Sequence, residues 1–454
     1  MGLMKISKYH KTIGDDVIFV KGINKEISYE RYWDRIYVST LFTYNWKVTV
    51  DTIKFYKKLV REDNSRIFVG GIMATLLREE LWEATGVIPI VGLLDTPGAL
   101  KDENNLIVND MIPDYDLFKG TDQQYSLVAD SYFGYSTRGC IRKCEFCGVP
   151  KLEPKYQEYR GLKPYINAIK DEFGEKNNIV LFDNNILASK KFDNIISDLI
   201  DLNFEKNAKL SFINKGGQKS YRKRLVDFNQ GIDARLMTLK KVRLLSKIAI
   251  QPLRIAFDHI KDKVLYEEKV RLAAEHGIQH FSNYILYNFH DTPEHLWERL
   301  NINIKLNAEL GLSIYSFPMK YIPLKNKNRI FENSPNWNWL YLRGVQRILN
   351  VLKGTVMTTE DFFYRAFGEN EKEFIKILYM PEQLLMSRGI QQGPQEKDWY
   401  TKFNSLTESN RNALLSILCE NKNIKSLCNA IEVNRNISIK SILEHYVPNH
   451  HSDK

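Results

Sequence analysis

A short apolar strand runs directly into three closely spaced cysteines in the segment Tyr132-Phe-Gly-Tyr-Ser-Thr-Arg-Gly-Cys140-Ile-Arg-Lys-Cys144-Glu-Phe-Cys147. Between residues 131 and 325, about six apolar runs occur, and each is followed by an amphipathic stretch of helical length. This alternation predicts an α/β fold with parallel strands joined by helices. Six such units are too few to close an eight-stranded barrel. We therefore expect a partial (β/α)6 barrel of the TIM type.

The predicted barrel elements follow from two periodicities, short apolar runs for strands and apolar residues at helical spacing for helices. Strands are predicted at Tyr132–Ser136, Ile179–Phe182, Val226–Asn229, Leu253–Phe257, His280–Leu286 and Ser313–Met319, with helices near 163–174, 191–203, 239–248, 262–276 and 293–310. In such a barrel the functional side chains lie at the carboxyl ends of the strands. The cysteines come directly after the first strand and thus fall at that end.

The regions on either side of the barrel have different patterns. Residues 1–130 alternate β-rich runs with helical segments, which predicts a doubly wound, Rossmann-like parallel sheet with strands at Asp16–Val20, Arg35–Ser39, Arg66–Gly70 and Ile88–Gly92. Residues 326–454 carry helical patterns without intervening strands, which predicts a helical carboxyl-terminal domain. The predicted domains are therefore 1–130, 131–325 and 326–454.

The composition is that of an ordinary globular protein, with 43% hydrophobic residues among 454. No apolar run approaches the roughly 20 residues that a bilayer-spanning helix needs, and the amino terminus lacks the apolar core of a signal peptide. We therefore expect a cytoplasmic protein without a membrane partner. Lysine and arginine exceed the acidic residues by 65 − 55 = 10, a surplus that suits an anionic partner or a solvated surface.

The three clustered cysteines indicate a metal centre. Thiolates are soft ligands, and a compact loop carrying Cys140, Cys144 and Cys147 can bind three irons of a cubane while the fourth iron lacks a protein ligand. The alternative is a structural zinc site, which normally takes four protein ligands, and no fourth Cys or His lies close in sequence. Cys419 and Cys428 fall in a helical segment and are interpreted as small buried hydrophobes.

The motif Cys140-x-x-x-Cys144-x-Phe146-Cys147 resembles the signature of the radical S-adenosylmethionine (SAM) superfamily, aromatic residue included. The resemblance implies a 4Fe-4S cluster whose open iron binds SAM, and an electron from an external donor that cleaves SAM reductively. It implies radical modification of a substrate that the sequence does not identify, with methyl or other group transfer among the reaction types. The alternative is an iron-sulfur binding or electron-transfer protein that does not cleave SAM.

The resemblance also suggests residues near the cofactor. In the family a polar motif after the second barrel strand, commonly Gly-Gly-Glu, receives the amino group of SAM, and Asp183 and Asn184 stand in the corresponding position here. Both residues carry suitable acceptors. The alternative is a capped strand end, since Asp and Asn favour turns.

Further candidate cofactor residues lie on later strands. Asp227 and Asn229 fall on one face of the third strand, where polar side chains need partners. The guanidinium of Arg235 is suited to the cofactor carboxylate, although an ion pair with Asp233 or Asp258 is the alternative. Asp258 ends the fourth strand and is a candidate contact for ribose or substrate.

The amino-terminal region is similar to the cobalamin-binding domain that precedes the barrel in many radical SAM enzymes, on the basis of Ser39-Thr-Leu41 and Gly70-Gly71. The family's cobalt ligand is a His in an Asp-x-His-x-x-Gly loop. His10 lies instead in Lys8-Tyr-His-Lys-Thr-Ile-Gly14, a segment predicted as a helix. We expect a related fold in which cobalamin binding is lost or does not use His.

A basic insertion lies between Glu205 and Leu225. Its cations are Lys206, Lys209, Lys215, Lys219, Arg222, Lys223 and Arg224, interleaved with Phe212 and Tyr221. Clustered cations with aromatic residues suit a phosphate backbone and stacked bases, so Lys206–Arg224 is a candidate nucleic-acid site. The alternative is a mobile solvated loop.

Overall fold

The computed structural model describes residues 1–27, 32–119, 126–327, 335–388 and 393–447. The chain forms two compact units. Unit 1 consists of Met1–Ala256, Lys269–Ile278 and Pro323–Arg329, and unit 2 of Phe257–Glu268, Gln279–Ile322 and Ile330–Lys454. The division into domains 1–130, 131–325 and 326–454 stays a prediction.

The strands and helices are numbered along the chain. The strands are β1 (Ile36–Thr40), β2 (Ile67–Gly71), β3 (Ser131–Gly134), β4 (Asn178–Leu181), β5 (Lys209–Ile213), β6 (Lys219–Lys223), β7 (Val226–Phe228), β8 (Leu253–Arg254), β9 (His280–Tyr287) and β10 (Ser313–Lys320). The first helices are α1 (Gly2–Thr12), α2 (Trp46–Lys57), α3 (Ile72–Leu76), α4 (Arg78–Thr85), α5 (Ser126–Asp130), α6 (Val149–Leu152), α7 (Lys163–Phe173), α8 (Phe192–Asp201), α9 (Leu239–Leu245) and α10 (Lys263–Glu275). The remaining helices are α11 (Pro293–Leu310), α12 (Trp339–Val351), α13 (Glu360–Phe367), α14 (Glu371–Tyr379), α15 (Glu382–Ser387), α16 (Pro394–Ser405), α17 (Glu408–Glu420), α18 (Ile424–Val433) and α19 (Ile437–Leu443). Short 3-10 helices span Thr43–Asn45, Lys58–Val60, Val108–Asp110, Tyr115–Phe118, Ile186–Ala188, Ala234–Leu236, Ile260–Asp262 and Glu444–Tyr446.

The amino-terminal part of unit 1 contains a parallel pair of strands, β1 and β2. Apolar side chains of the strands and of α2 and α4 pack into one core, which includes Ile53, Val69 and Leu81. The strand β2 ends at Gly71, whose φ is +105°. A Cβ at Gly71 would lie 2.3 Å from the backbone oxygen of Thr40, so the glycine permits the close approach of the two strand ends.

The predicted four-stranded amino-terminal sheet is corrected to two strands within the described residues. Asp16–Val20 and Ile88–Gly92 form no strand. Pro89 has no backbone N–H to offer a neighbouring strand, and Ile90 makes a single ladder-like bond, from its N–H to the oxygen of Val69 at 2.8 Å. The second segment is therefore extended chain beside β2.

The central part of unit 1 contains the parallel sheet β3-β4-β7, which positions the cysteine segment. β3 pairs Ser131 with Asn178, and β4 pairs Ile179 with Val226. The helices α7 and α8 bury one apolar stripe each, because their apolar residues recur at helical spacing. Strands and helices lie close to their predicted positions. The partial (β/α)6 barrel stays a prediction, whereas the parallel α/β arrangement is observed.

The basic insertion forms an antiparallel hairpin of β5 and β6 rather than a loop. Lys209 pairs with Lys223 and Ile213 pairs with Lys219. The turn is ordered by Asn214, whose Oδ1 accepts hydrogen bonds from the N–H groups of Gly216 and Gln218 at 2.9 and 3.0 Å.

Unit 2 combines the parallel strands β9 and β10 with helices of the carboxyl-terminal region. The helix α11 begins at Pro293 after the cap Thr292, whose Oγ1 accepts a hydrogen bond from the N–H of His295. Residues of α11 and of α12 to α19 share one apolar core, which contains Trp297, Phe363 and Trp399. The helical character predicted for 326–454 is confirmed in the described part. In those same ranges, none of the helices combines the length and apolarity needed to cross a bilayer.

Candidate functional site

The cysteine segment leaves the carboxyl end of β3 without regular secondary structure. Its first residues are fixed by an antiparallel bridge, in which the N–H of Arg138 donates to the oxygen of Gln157 at 3.1 Å and the reverse bond measures 2.8 Å. The side chains of Cys140, Cys144 and Cys147 are all partly buried. The sheet thus delivers three thiols at the edge where the chemistry of this fold class is expected.

Glu153 fastens the start of this segment. One carboxylate oxygen lies 2.7 Å from Nη2 of Arg138, and the other accepts hydrogen bonds from the N–H of Gly139 at 2.6 Å and from Nδ2 of Asn184 at 3.1 Å. Gly139 has φ +72°, and a Cβ there would lie 2.5 Å from the backbone oxygen of Lys155. Only glycine fits this position without displacing the neighbouring backbone.

Three N–H groups approach the sulfurs. The N–H of Arg142 lies 3.3 Å from Sγ of Cys140, and the N–H of Val149 lies 3.5 Å from Sγ of Cys147. The side-chain Nδ2 of Asn185 also donates to Sγ of Cys140, at 3.5 Å. The thiolate is the form of cysteine that ligates iron. Hydrogen bonds to cluster sulfurs also tune the reduction potential.

Asn185 is the functional candidate that the sequence analysis missed. Its side chain is buried, and its Oδ1 has no hydrogen-bond partner among the described residues. A buried carbonyl oxygen without a donor is costly, so a donor supplied from outside the chain would stabilise it. The available signal was the polar run Asp183-Asn184-Asn185 after a buried strand. Which of these side chains faces the cysteines depends on tertiary structure.

Asp183, for which a contact with SAM stays a prediction, connects β4 to the exit of β3. Its buried carboxylate accepts hydrogen bonds from the N–H and Oγ of Ser136 and from the N–H and Oγ1 of Thr137. Burial raises the pKa of Asp183, while the hydrogen bonds from Ser136 and Thr137 act in the opposite direction. This carboxylate is therefore occupied by the segment that leads to the cysteines.

Asp227 and Asn229 occupy the predicted face of β7 and its exit. Asp227 forms a two-point ion pair with Arg254, with Nε to Oδ1 at 2.7 Å and Nη2 to Oδ2 at 2.9 Å. The N–H of Asn229 donates to the oxygen of Leu181 at 2.9 Å, which keeps the residue beside the end of β4. Asp227, on the polar face of the strand, thus has Arg254 as its partner.

Arg235 adopts the alternative that the sequence left open, an ion pair with Asp233. Its Nε lies 2.6 Å from Oδ1 of Asp233, while the other oxygen of Asp233 lies 2.9 Å from Nε of Arg142. Burial opposes ionisation of Asp233, but the hydrogen bonds from Arg235 and Arg142 prevail and lower its pKa. Asp233 therefore connects the exit of β7 to the cysteine segment.

The two remaining predicted candidates lie in different parts of the chain. Asp258 belongs to unit 2, where its backbone oxygen accepts a hydrogen bond from Nη1 of Arg299 at 2.9 Å. Phe146 is partly buried between Cys144 and Cys147 in unit 1. Only Phe146 is thus in the cysteine segment itself.

His10 lies on α1, as predicted, with both ring nitrogens engaged. Its Nδ1 lies 2.7 Å from Oδ2 of Asp15, and its Nε2 lies 2.7 Å from the hydroxyl of Tyr37. A cobalt ligand needs one ring nitrogen without another partner. This geometry supports the expectation that any cobalamin binding would not use His10.

The donor set fits an iron-sulfur cluster. Within the described ranges, no three His, Cys, Asp or Glu side chains converge where a single metal ion could sit. A cubane distributes its three thiolates over three different irons. The three thiols, their N–H donors and the unpaired oxygen of Asn185 are the features that suit such a group. Cys419 and Cys428 lie on α17 and α18, and Cys419 packs against the helical core.

No protein-family model matches the chain, and no curated protein matches it significantly. The fold is similar to that of TsrM from Kitasatospora setae, a radical S-adenosylmethionine methyltransferase solved with tryptophan substrate and aza-SAM. The TM-score is 0.43 at 12% sequence identity, and the match covers 70% of this chain and 67% of the TsrM chain. The cobalamin-dependent S-adenosylmethionine radical enzyme OxsB matches with a TM-score of 0.37 and 15% identity. The match covers 90% of this chain and 67% of the OxsB chain. Both of these solved proteins are described as S-adenosylmethionine radical enzymes.

A third structural neighbour is SuiB from Streptococcus suis, solved bound to S-adenosylmethionine. Its TM-score is 0.33 with 12% identity, over 49% of this chain and 47% of that chain. The functional proposal rests on the residues of this chain rather than on these scores.

Proposed function

We propose that this protein is a radical SAM enzyme, in which Cys140, Cys144 and Cys147 hold a 4Fe-4S cluster that binds SAM. The observation that carries the proposal is the set of three N–H donors at two of the cysteine sulfurs, on a segment fixed at the carboxyl end of β3. When bound, a cluster of this type supplies the electron that cleaves SAM and starts radical chemistry.

The residues around the cysteines keep the ligands in place. Glu153 holds the segment before Cys140 through Arg138 and Gly139, and Asp183 holds the end of β3. Asp233 binds Arg142 and so restrains the stretch between the first two cysteines. Ligands that are fixed before binding lose less conformational entropy when the group binds.

We further propose that Asn184, Asn185 and Phe146 contact SAM when it is bound. Asn185 has an unpaired buried oxygen suited to a donor such as an ammonium group. Asp183, Asp227 and Arg235 have intramolecular partners, and in our proposal they support the site rather than contact SAM.

Anaerobic reconstitution with iron and sulfide tests the cluster. We expect about four irons per chain and the absorption and EPR signals of a cubane. Alanine substitution of Cys140, Cys144 and Cys147 should abolish these signals. Cys428→Ala, which removes a thiol on α18, should leave the signals unchanged. A full cluster in the triple variant would refute the proposal.

A second measurement separates the enzyme from an electron-transfer protein. The reconstituted protein is given SAM and a strong reductant without air, and 5'-deoxyadenosine is quantified by mass spectrometry. Formation of 5'-deoxyadenosine that depends on all three cysteines supports the enzyme. A reducible cluster that leaves SAM intact would favour the iron-sulfur binding alternative.

A further inference from the structure

The hairpin of β5 and β6 has one face that is open to solvent. Side chains on a strand alternate between faces, so the register places six residues together on what we call the outer face. The outer face consists of Lys209, Ser211, Ile213, Lys219, Tyr221 and Lys223, all of them exposed.

The charges of the two faces are balanced differently. On the opposite face Arg222 pairs with Asp130 at 3.1 Å. Arg224 follows the hairpin, is only 2% exposed, and pairs with Glu175 at 2.9 Å. These two cations are therefore structural, and the sequence alone had grouped them with the binding residues.

The outer face carries positive charge that no salt bridge within the described part of the chain offsets. Lys209 and Lys223 stand directly opposite each other across the two strands, an arrangement that destabilises an isolated hairpin. The segment from Lys206 to Arg224 contains no acidic residue that could offset them. Among these lysines, Lys223 has a polar neighbour, Oε1 of Gln251 at 2.6 Å, which is neutral. An external anion would relieve this repulsion.

The same face exposes apolar surface between the lysines. Tyr221 is 59% exposed and Ile213 is 67% exposed. The ammonium of Lys219 lies 5.7 Å from the centre of the Tyr221 ring. An exposed aromatic ring flanked by lysines offers a base a stacking surface and offers its phosphates positive charge. An acidic peptide would use the lysines but has no equivalent need for the ring.

We propose that the outer face binds single-stranded nucleic acid, with phosphates at Lys209, Lys219 and Lys223 and a base stacked on Tyr221. The hairpin joins the amino end of β7, and Arg222 pairs with Asp130 at the amino end of β3. The cysteines follow the carboxyl end of β3. The outer face is therefore an anchoring surface at the edge of the sheet opposite the cysteines.

The test measures binding of the full-length chain to fluorescent oligo-U and oligo-dT of about 12 nucleotides by anisotropy, without SAM or reductant. We expect Tyr221→Ala to weaken binding about tenfold and Tyr221→Phe to retain it, because stacking needs only the ring. The double variant Lys209→Gln/Lys219→Gln should weaken binding and reduce the slope of log affinity against log salt by about 1.4.

The matched control is Lys240→Gln, which removes an exposed lysine of α9 that is 74% exposed and pairs with Asp193. We expect its affinity to equal that of the unmodified chain. The proposal is overturned if neither oligonucleotide binds, or if Lys240→Gln weakens binding as much as the hairpin variants do. It is also overturned if polyglutamate competes as well as RNA and Tyr221→Ala has no effect, which would indicate an acidic peptide. None of these three outcomes bears on the cysteine proposal, because no cluster chemistry enters the measurement.

Discussion

Gly139 has no room for a side chain. A Cβ would meet the backbone oxygen of Lys155 at 2.5 Å, and φ is +72°. We predict that Gly139→Ala displaces the segment before Cys140 at a cost of about 1–3 kcal/mol and lowers the iron content after reconstitution. Gly148→Ala is the control, because its φ is −76° and its nearest contacts are ordinary. Equal iron content in the two variants would contradict this prediction.

The amide of Asn185 gives a second prediction at the residue scale. Its Nδ2 donates to Sγ of Cys140, and such a donor stabilises the more negative, reduced state of a cluster. Asn185→Ala should therefore lower the midpoint potential by on the order of tens of millivolts, measured by EPR-monitored titration. Asn177→Ala, which removes a buried amide bonded to the oxygen of Lys223, should leave the potential unchanged. A potential unaffected by Asn185→Ala would argue against the hydrogen bond.

At the residue scale the sequence is informative where chemistry is local. Three thiols within eight positions predict a metal cluster from local sequence alone, and the cluster stays a prediction. The partners of Asp183, Asp227 and Arg235 come from other strands or depend on how a turn folds. A single sequence cannot distinguish a cofactor contact from an intramolecular bond at such positions.

A buried ion pair links Asp291, in the connection between β9 and α11, to Arg299 on α11. Nη2 of Arg299 lies 2.7 Å from Oδ2 of Asp291, and its other nitrogens donate to the backbone oxygens of His295, Phe257 and Asp258. Both side chains are almost fully buried, so removing one charge leaves the other without compensation.

We predict that Arg299→Met lowers the unfolding free energy by about 3 kcal/mol or more, measured by urea denaturation. The double variant Arg299→Met/Asp291→Asn should recover part of this loss, because no unpaired charge remains. Additive losses in the double variant would show that the ion pair does not explain the effect.

At the element scale the strand-then-helix pattern predicts the parallel strands and most helices, because both periodicities are local. It fails at Ile88–Gly92, where Pro89 interrupts the ladder, and at the basic insertion. A solvated loop is the structural alternative that the composition of the insertion favours, because lysines dominate it. The alternation of Leu210 and Phe212 with exposed neighbours is the strand signal that the charges obscured.

The stability of the whole molecule should depend on pH through Lys5. Its Nζ donates to the oxygen of Asn109, and burial, followed by the charge of Arg138, lowers its pKa from 10.5 to about 8. Between these values the unfolded chain binds the proton more strongly than the folded chain does. This group therefore makes the folded state more stable as pH rises from about 8 towards 10.5.

Replacing the lysine tests this linkage. At neutral pH the wild type loses stability because it folds with a buried charge at Lys5, and Lys5→Met removes that charge. The stability advantage of the variant over the wild type should therefore be roughly 2 kcal/mol smaller at about pH 10 than at about pH 7. Urea denaturation of both proteins at the two pH values measures the difference. A difference that is the same at both pH values would contradict a lowered pKa.

At the scale of the whole molecule, composition predicts the apolar core of an ordinary globular protein and a surplus of 10 positive charges. It does not predict which of these charges are exposed. Arg224 is buried and the lysines of the outer face are not, although all lie within one run. Burial is decided by how the hairpin joins β7, which depends on contacts between distant segments.

The carboxylate of Asp183 has a consequence for mutational surveys. Its hydrogen bonds tie the end of β3 to the end of β4, so replacing it would release the backbone that precedes the cysteines. A screen that records only product formation would rank this position with the reacting groups. Measuring iron retention together with turnover would show that the substitution had removed structural hydrogen bonds rather than a reacting group.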